Sequence, residues 1–122
     1  MRGRAWTRIG VLTTVAFLAA ACPDEEPEPD DPLARGANLF EANCASCHGP
    51  EGGGTAAGPP LVDELYTPER TPDEDIRRAI QQGVEQQNWE FGDMPALPGL
   101  DDDEIDDIIA YVRELQAEAG LS

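Results

Sequence analysis

The sequence predicts a small all-α domain of about three to five helices, and three observations carry that expectation. No stretch alternates apolar and polar residues with period two, so no strand is signalled. Apolar residues instead recur three and four apart in separate stretches from Leu33 onward. Connections rich in Gly and Pro separate those stretches, above all residues 50–60. The 122 residues suffice for one such domain. A folded part of roughly 80–90 residues has a small core and often needs a staple such as a metal, a disulfide or a cofactor.

The elements follow in order. Residues 1–21 read as a secretory signal peptide: Arg2, Arg4 and Arg8 form a basic start, residues 9–21 are apolar or small, and Ala19, Ala20 and Ala21 offer a cleavage site. A membrane-spanning helix needs roughly 20 apolar residues, more than this run supplies. Residues 18–22, Leu-Ala-Ala-Ala-Cys, resemble a bacterial lipoprotein box, with Ala19 where that pattern usually has Leu. The resemblance implies a lipid on Cys22 and a membrane anchor; plain cleavage leaving a free Cys22 is the alternative. The rest of residues 22–32 is acidic, proline-rich and without apolar side chains, a tether of roughly 30 Å at about 3.1 Å per residue.

The domain is then residues 33–122. A first helix is expected over residues 33–43, with Gly36, Leu39 and Phe40 on one face. Thr71-Pro72-Asp73-Glu74 predicts a helix start with Thr71 as N-cap, Pro72 at the first helical position and Glu74 closing a capping box. Ile76, Ala79 and Ile80 give that helix its apolar face, and Gly83 ends it. Asp101 to Glu104 supply the acidic start of a last helix. Its stripe is Ile105, Ile108, Ile109, Val112 and Leu115, and it ends near Gly120.

The charge is lopsided: 25 acidic residues against 8 Arg and no Lys, formally −17. Loss of the signal with its three Arg takes this to about −20. Such a chain does not bind nucleic acid, whose phosphates need a basic surface. It suits redox protein partners with a basic docking surface, met at rates that fall with salt. Solubility in a saline habitat accounts for the same charge equally well.

Cys44-Ala45-Ser46-Cys47-His48 is the C-x-x-C-H haem-attachment pattern. Two thiols three apart on the last turn of a helix reach the two vinyl groups of one porphyrin, and the next residue, His48, then faces the iron from the same side. Other readings fit less well. A structural zinc site needs four ligands and finds no second pair here. A thioredoxin-like dithiol needs a βαβ setting. A Cys44–Cys47 disulfide leaves His48 without a role. For a second iron ligand the residues eliminate most choices: His48 is the only His, Lys is absent, and once the signal is lost Met94 is the only Met. The plainer reading of Met94 is a residue filling a gap in the core.

With these motifs the chain resembles the class I (monohaem, His/Met) cytochromes c, over residues 33–118, and the resemblance is close to the small single-domain cytochromes of bacterial respiratory chains. Gly58-Pro59-Pro60-Leu61 and Met94-Pro95-Ala96-Leu97 resemble the family's two other signatures. The resemblance implies the small cytochrome c fold around one covalent haem c. It implies that the Pro59 carbonyl accepts the His48 ring N–H, and that His48 and Met94 are the axial ligands of the iron. Gly36 and Phe40 resemble the family's first-helix pair that crosses the last helix near an aromatic, here Tyr111. Trp89 and Tyr66 are candidates to line the haem or bond a propionate, as are Arg70, Arg77 and Arg78. Asp101, Asp102 and Asp103 read as a helix-capping run in preference to a cation site.

The function so implied is electron transfer by a monomeric carrier with no catalytic residues, on the extracytoplasmic side and anchored by lipid. A haem peroxidase, a gas sensor in which Met94 is displaced, and a subunit of a larger dehydrogenase or oxidase are the competing readings. His/Met ligation raises the reduction potential relative to bis-His and leaves no open position on the iron.

Overall fold

The computed structural model describes residues 30–121. The segment read as a signal peptide, Cys22 and most of the segment read as an acidic tether lie outside the described residues. Four α-helices make up the architecture: α1 (Pro32–Asn43), α2 (Ala45–His48), α3 (Asp73–Gln82) and α4 (Asp102–Glu118). Single 3₁₀ turns occur at Pro50–Gly52 and Glu64–Tyr66. Among the described residues β pairing is confined to two isolated bridges, Thr55 with Gly58 and Val84 with Met94. The all-α expectation therefore holds, and no helix among these residues is long and apolar enough to cross a membrane.

Helix α1 starts inside the segment read as tether. The Asp31 side chain accepts from the Leu33 N–H at 3.1 Å, and Pro32 takes the first turn, where its missing N–H costs nothing. The helix breaks at Cys44 (φ −120°, ψ −35°), so the C-x-x-C-H motif occupies a separate short helix, not the last turn of a longer one.

The start of α3 departs from the sequence expectation. Thr71 does not cap it: its Oγ1 donates to the Leu65 carbonyl at 2.8 Å, closing the preceding turn. Pro72 is the extended N-cap residue, and its carbonyl accepts from Asp75 N at 2.9 Å. No capping box forms there, and Asp73, Glu74 and Asp75 favour the helix only by their charge at its positive end. The box lies instead on α4, where Asp101 Oδ1 accepts from Glu104 N at 2.9 Å and Glu104 Oε2 accepts from Asp101 N at 3.0 Å.

The core forms where α1 crosses α4. A Cβ built at Gly36 would overlap the Asp107 carbonyl oxygen, so only glycine permits this approach. Phe40 and Tyr111 meet edge to face, centroids 5.5 Å apart at 61°. Arg35 donates to Asp107 at 2.8 Å across the same crossing. Phe40, Ile80, Ile105, Ile108, Ile109 and Val112 are buried, whereas Leu115 is only half-buried. The side chain that completes the buried face of α4 is Gln116, 1% exposed. Its Nε2 donates to the carbonyls of Leu61 and Tyr66, both at 2.9 Å. Arg113, one turn earlier, donates to the carbonyls of Tyr66 and Thr71, both at 2.6 Å, and to Asp73 at 2.7 Å. These two polar residues fasten segment 61–72, which holds no α-helix, onto α4. Arg77 joins α3 to α4 through Asp102 and Asp106.

Candidate functional site

The loop after α2 returns to α2 itself. Thr55 Oγ1 donates to the Cys47 carbonyl at 2.6 Å, and the Thr55 N–H donates to the Gly58 carbonyl at 3.0 Å. This turn delivers Pro59, whose carbonyl oxygen lies 2.9 Å from His48 Nδ1. A carbonyl only accepts, so Nδ1 carries the proton, and in the neutral ring Nε2 then keeps the free lone pair. That is the tautomer a metal-binding imidazole needs, with its ring orientation held from behind.

Met94 arrives from the other half of the chain. Its N–H and carbonyl pair with Val84, at 2.8 Å and 3.0 Å. Gly83 makes this pairing possible: at φ 77° it ends α3 in a conformation that favours glycine, and a Cβ there would lie 2.6 Å from the Met94 oxygen. Leu97 N donates to the Ile80 carbonyl at 2.8 Å, tying the next residues to α3 as well. Residues 84–94 are thus a loop closed at its neck, and it carries Trp89 and Phe91.

Cys44, His48, Pro59 and Met94 line one cavity of about 770 Å³, within the range of about 300–1,000 Å³ typical of small-molecule sites. Phe40, Leu61, Ile76, Ile80, Ile108 and Val112 supply much of its apolar wall. Cys44 is buried and Cys47 exposed, both as free thiols. Burial, with a smaller contribution from Cys47, pushes the Cys44 thiol up to about 11. Among the described residues no group of three or more His, Cys, Asp and Glu converges as a metal cluster would.

Of the lighter candidates, Tyr66, Trp89, Arg70 and Arg78 line the cavity. Arg77 does not, because Glu74, Asp102 and Asp106 engage it between α3 and α4. Trp89 Nε1 donates to the Tyr66 hydroxyl at 2.9 Å. The sequence reading missed Gln116 and Arg113, which hold the wall carrying Tyr66. For Gln116 the available signal was its place four residues after Val112, in register with the apolar stripe.

The residues fit a haem. Cys44 and a His48 of the metal-binding tautomer border a cavity of cofactor size with an apolar wall, Cys47 lies exposed beside them, and Met94 lines the same cavity.

Comparison with known proteins gives a consistent picture. The family model described as Cytochrome c matches residues 33–116. The chain is 31% identical to a Cbb3-type cytochrome c oxidase subunit CcoP of Azospirillum sp. (strain B510), over 93% of this chain and 42% of that protein. It is 34% identical to a cytochrome c oxidase subunit 2 of Alkalihalophilus pseudofirmus (strain ATCC BAA-2126 / JCM 17055 / OF4), over 75% of this chain and 28% of that protein. The chain therefore spans less than half the length of either relative.

Proposed function

The chain belongs to the cytochrome c family and is a haem electron-transfer protein, with haem c bound covalently through the motif of Cys44 and Cys47, and on that premise we propose that His48 and Met94 are the two axial ligands. When bound, the haem supplies a one-electron couple at its iron. What carries the ligand assignment is that His48 and Met94 border one cavity, with the His48 ring held by Pro59 so that Nε2 is free. Each side chain has a fixed backbone behind it: the 49–59 turn for His48 and the Val84 pairing for Met94. Ligands held this way change little between oxidation states, which suits electron transfer. As the second ligand, the half-buried Met94 would occupy the position an oxygen or peroxide needs.

Optical spectra of the matured protein test this reading. Low-spin bands, a weak red sulfur-to-iron band in the ferric form and no response of the reduced protein to CO are expected. A high-spin spectrum or fast CO binding would remove Met94 from the iron and favour a sensor or enzyme. Met94→Ala is expected to produce that spectrum while leaving the covalent haem in place.

The carrier exchanges electrons with protein partners whose docking surface is basic, on the extracytoplasmic side, held near them by a lipid on Cys22. The signal-like start and the acidic tether support the anchor. Cys22→Ser is expected to move the mature protein from the membrane to the soluble fraction; retention on the membrane would rule the lipid out. The similarity to two oxidase subunits favours an oxidase as one partner, and it also supports a second reading in which this chain is itself a subunit of such a complex. Stable co-purification with other chains would select that second reading.

A further inference from the structure

A second space, of about 440 Å³, adjoins the segment that holds His48. Residues 59–62 divide the two spaces in alternation: Pro59 and Leu61 line the cavity of His48 and Met94, whereas Pro60 and Val62 line the second. The Leu61 and Val62 N–H groups both donate to the Gly52 carbonyl, at 2.8 Å and 3.2 Å, which joins the turn at residues 50–53 to the same wall. The end of α4 supplies Leu115, Glu118 and Ala119. Leu115, expected in the buried stripe of α4, is half-buried and lines this space instead. The result is a groove with an apolar lining of Pro60, Val62 and Leu115 and two carboxylates, Glu51 and Glu118.

Both carboxylates stand where they cost the fold stability. Glu51 holds φ 56° and ψ 22°, in the left-handed region that favours glycine, and is the one non-glycine residue with positive φ among the described residues. Glu118 ends α4, whose last turn has no basic residue, so its charge adds to the negative end of the helix dipole. Neither pairs with an Arg among the described residues: Arg35, Arg77, Arg78 and Arg113 engage other carboxylates, and Arg70, with no such partner there, lines the cavity of His48. Burial is the larger cause of the raised Tyr111 hydroxyl, and Glu51 and Glu118 add to it, so their negative fields overlap. Unfavourable local choices gathered at one site mark a role beyond folding.

We propose that this groove docks a Lys- or Arg-bearing segment of a protein partner, with the stem of the cation along Pro60, Val62 and Leu115 and its head at Glu51 and Glu118. A long basic side chain has this form, an apolar stem under a charged head. The chain itself offers no such occupant. Residues 9–34 hold no Lys or Arg, and every charged residue among 23–31 is acidic. A second copy brings no Lys and, among the described residues, only Arg70 outside ion pairs. The inference rests on the reading that partners present a basic surface, and it names the place they engage. A partner seated there lies one backbone segment away from the Pro59 carbonyl that holds His48.

The test titrates the matured, haem-loaded protein, reduced and isotope-labelled, with a capped Ala-Leu-Lys-Leu-Ala peptide and reads the backbone amide shifts. A peptide with Gln in place of Lys and free n-butylammonium are the comparisons. The Lys peptide is expected to shift the amides of Gly53, Val62, Leu115 and Ala119 together and saturably, and both comparisons to bind more weakly. An exposed ion pair changes affinity by up to about fivefold, so Glu51→Gln with Glu118→Gln should weaken the peptide by about fivefold or more. Glu90→Gln with Asp103→Asn removes the same charge at exposed positions elsewhere and should leave the affinity unchanged. Equal losses in the two variants, shifts spread over the acidic surface, or butylammonium binding as tightly as the peptide would overturn the proposal. Glu118→Gln alone is also expected to raise the denaturation midpoint by relieving the helix end; a fall would make Glu118 structural and overturn its docking role. If electron transfer to a basic protein shows no dependence on salt, the reading of basic partners falls and this inference with it. If that dependence stands and the peptide does not select the groove, only this inference falls.

Discussion

Gln116 sits fully buried among isoleucine and valine side chains on α4, and what makes it tolerable is that every polar atom is used. Its amide N–H groups satisfy the Leu61 and Tyr66 carbonyls, and its Oε1 accepts from Arg113 at 2.7 Å. Replacing it by Leu keeps the volume but withdraws the donor from Leu61 O, at a cost of about 1–3 kcal/mol for a buried group left unpaired. Gln116→Leu is expected to lower the chemical-denaturation midpoint of the holoprotein, and an unchanged midpoint would mean water replaces the amide. The two tyrosines make a second prediction at this scale. Burial, then Asp63, raises Tyr66 against the lowering bond from Trp89. Burial, then Glu51, Glu118 and Glu41, raises Tyr111. Both therefore stay neutral in the fold where the unfolded chain would ionise. Their contribution to stability is complete below the ordinary value of 10 and is lost as pH rises from there through the folded values. An alkaline absorbance titration should show less than half of the phenolate at pH 10, with an excess appearing only on unfolding.

At the scale of elements, the crossing of α1 and α4 depends on one missing side chain. Alanine favours a helix over glycine by about 1 kcal/mol, so an isolated α1 would gain from Gly36→Ala. In the fold the added methyl overlaps the Asp107 backbone, and the helices must separate at the point where Phe40 meets Tyr111. Overpacking of this kind costs about 1–3 kcal/mol, enough to reverse the sign. Thermal unfolding of Gly36→Ala is expected at a lower temperature than the parent; a rise would show that the crossing yields more easily than its geometry implies. The α3 start shows the same dominance of context over local pattern. Thr71 has the residue type and spacing of an N-cap, yet its hydroxyl closes the 65–71 turn, which Arg113 and Gln116 hold against α4. The local capping signal loses because the turn carries the cavity wall.

For the whole molecule, the proposed encounter with a basic partner rests on a formal charge of −17. At physiological ionic strength exposed charges are screened beyond about 8 Å, so long-range attraction to a basic partner weakens steeply with salt. Stopped-flow electron transfer to a basic protein partner is expected to slow as salt rises, whereas exchange with a small neutral reductant should change little. Equal salt dependence for both would assign the charge to solubility alone.

Several properties were legible in the linear chain because they depend on nearest neighbours or on uniqueness. The C-x-x-C-H motif is contiguous, and the apolar spacing of Ile105, Ile108, Ile109 and Val112 is a property of one helix. The single His, and Met94 as the single Met after residue 1, narrowed the ligand candidates by composition alone. Tertiary structure alone decided which polar residues are structural and which are free. Gln116, Arg113 and Asp107 are held by partners as far away as residues 61, 66, 71 and 35, and Arg77 is taken up between two helices and kept from the cavity. Arg70 is left unpaired on the cavity wall. A buried polar group is stable only where its complement happens to lie in space, and nothing in a polar residue's immediate sequence says whether that complement will be there.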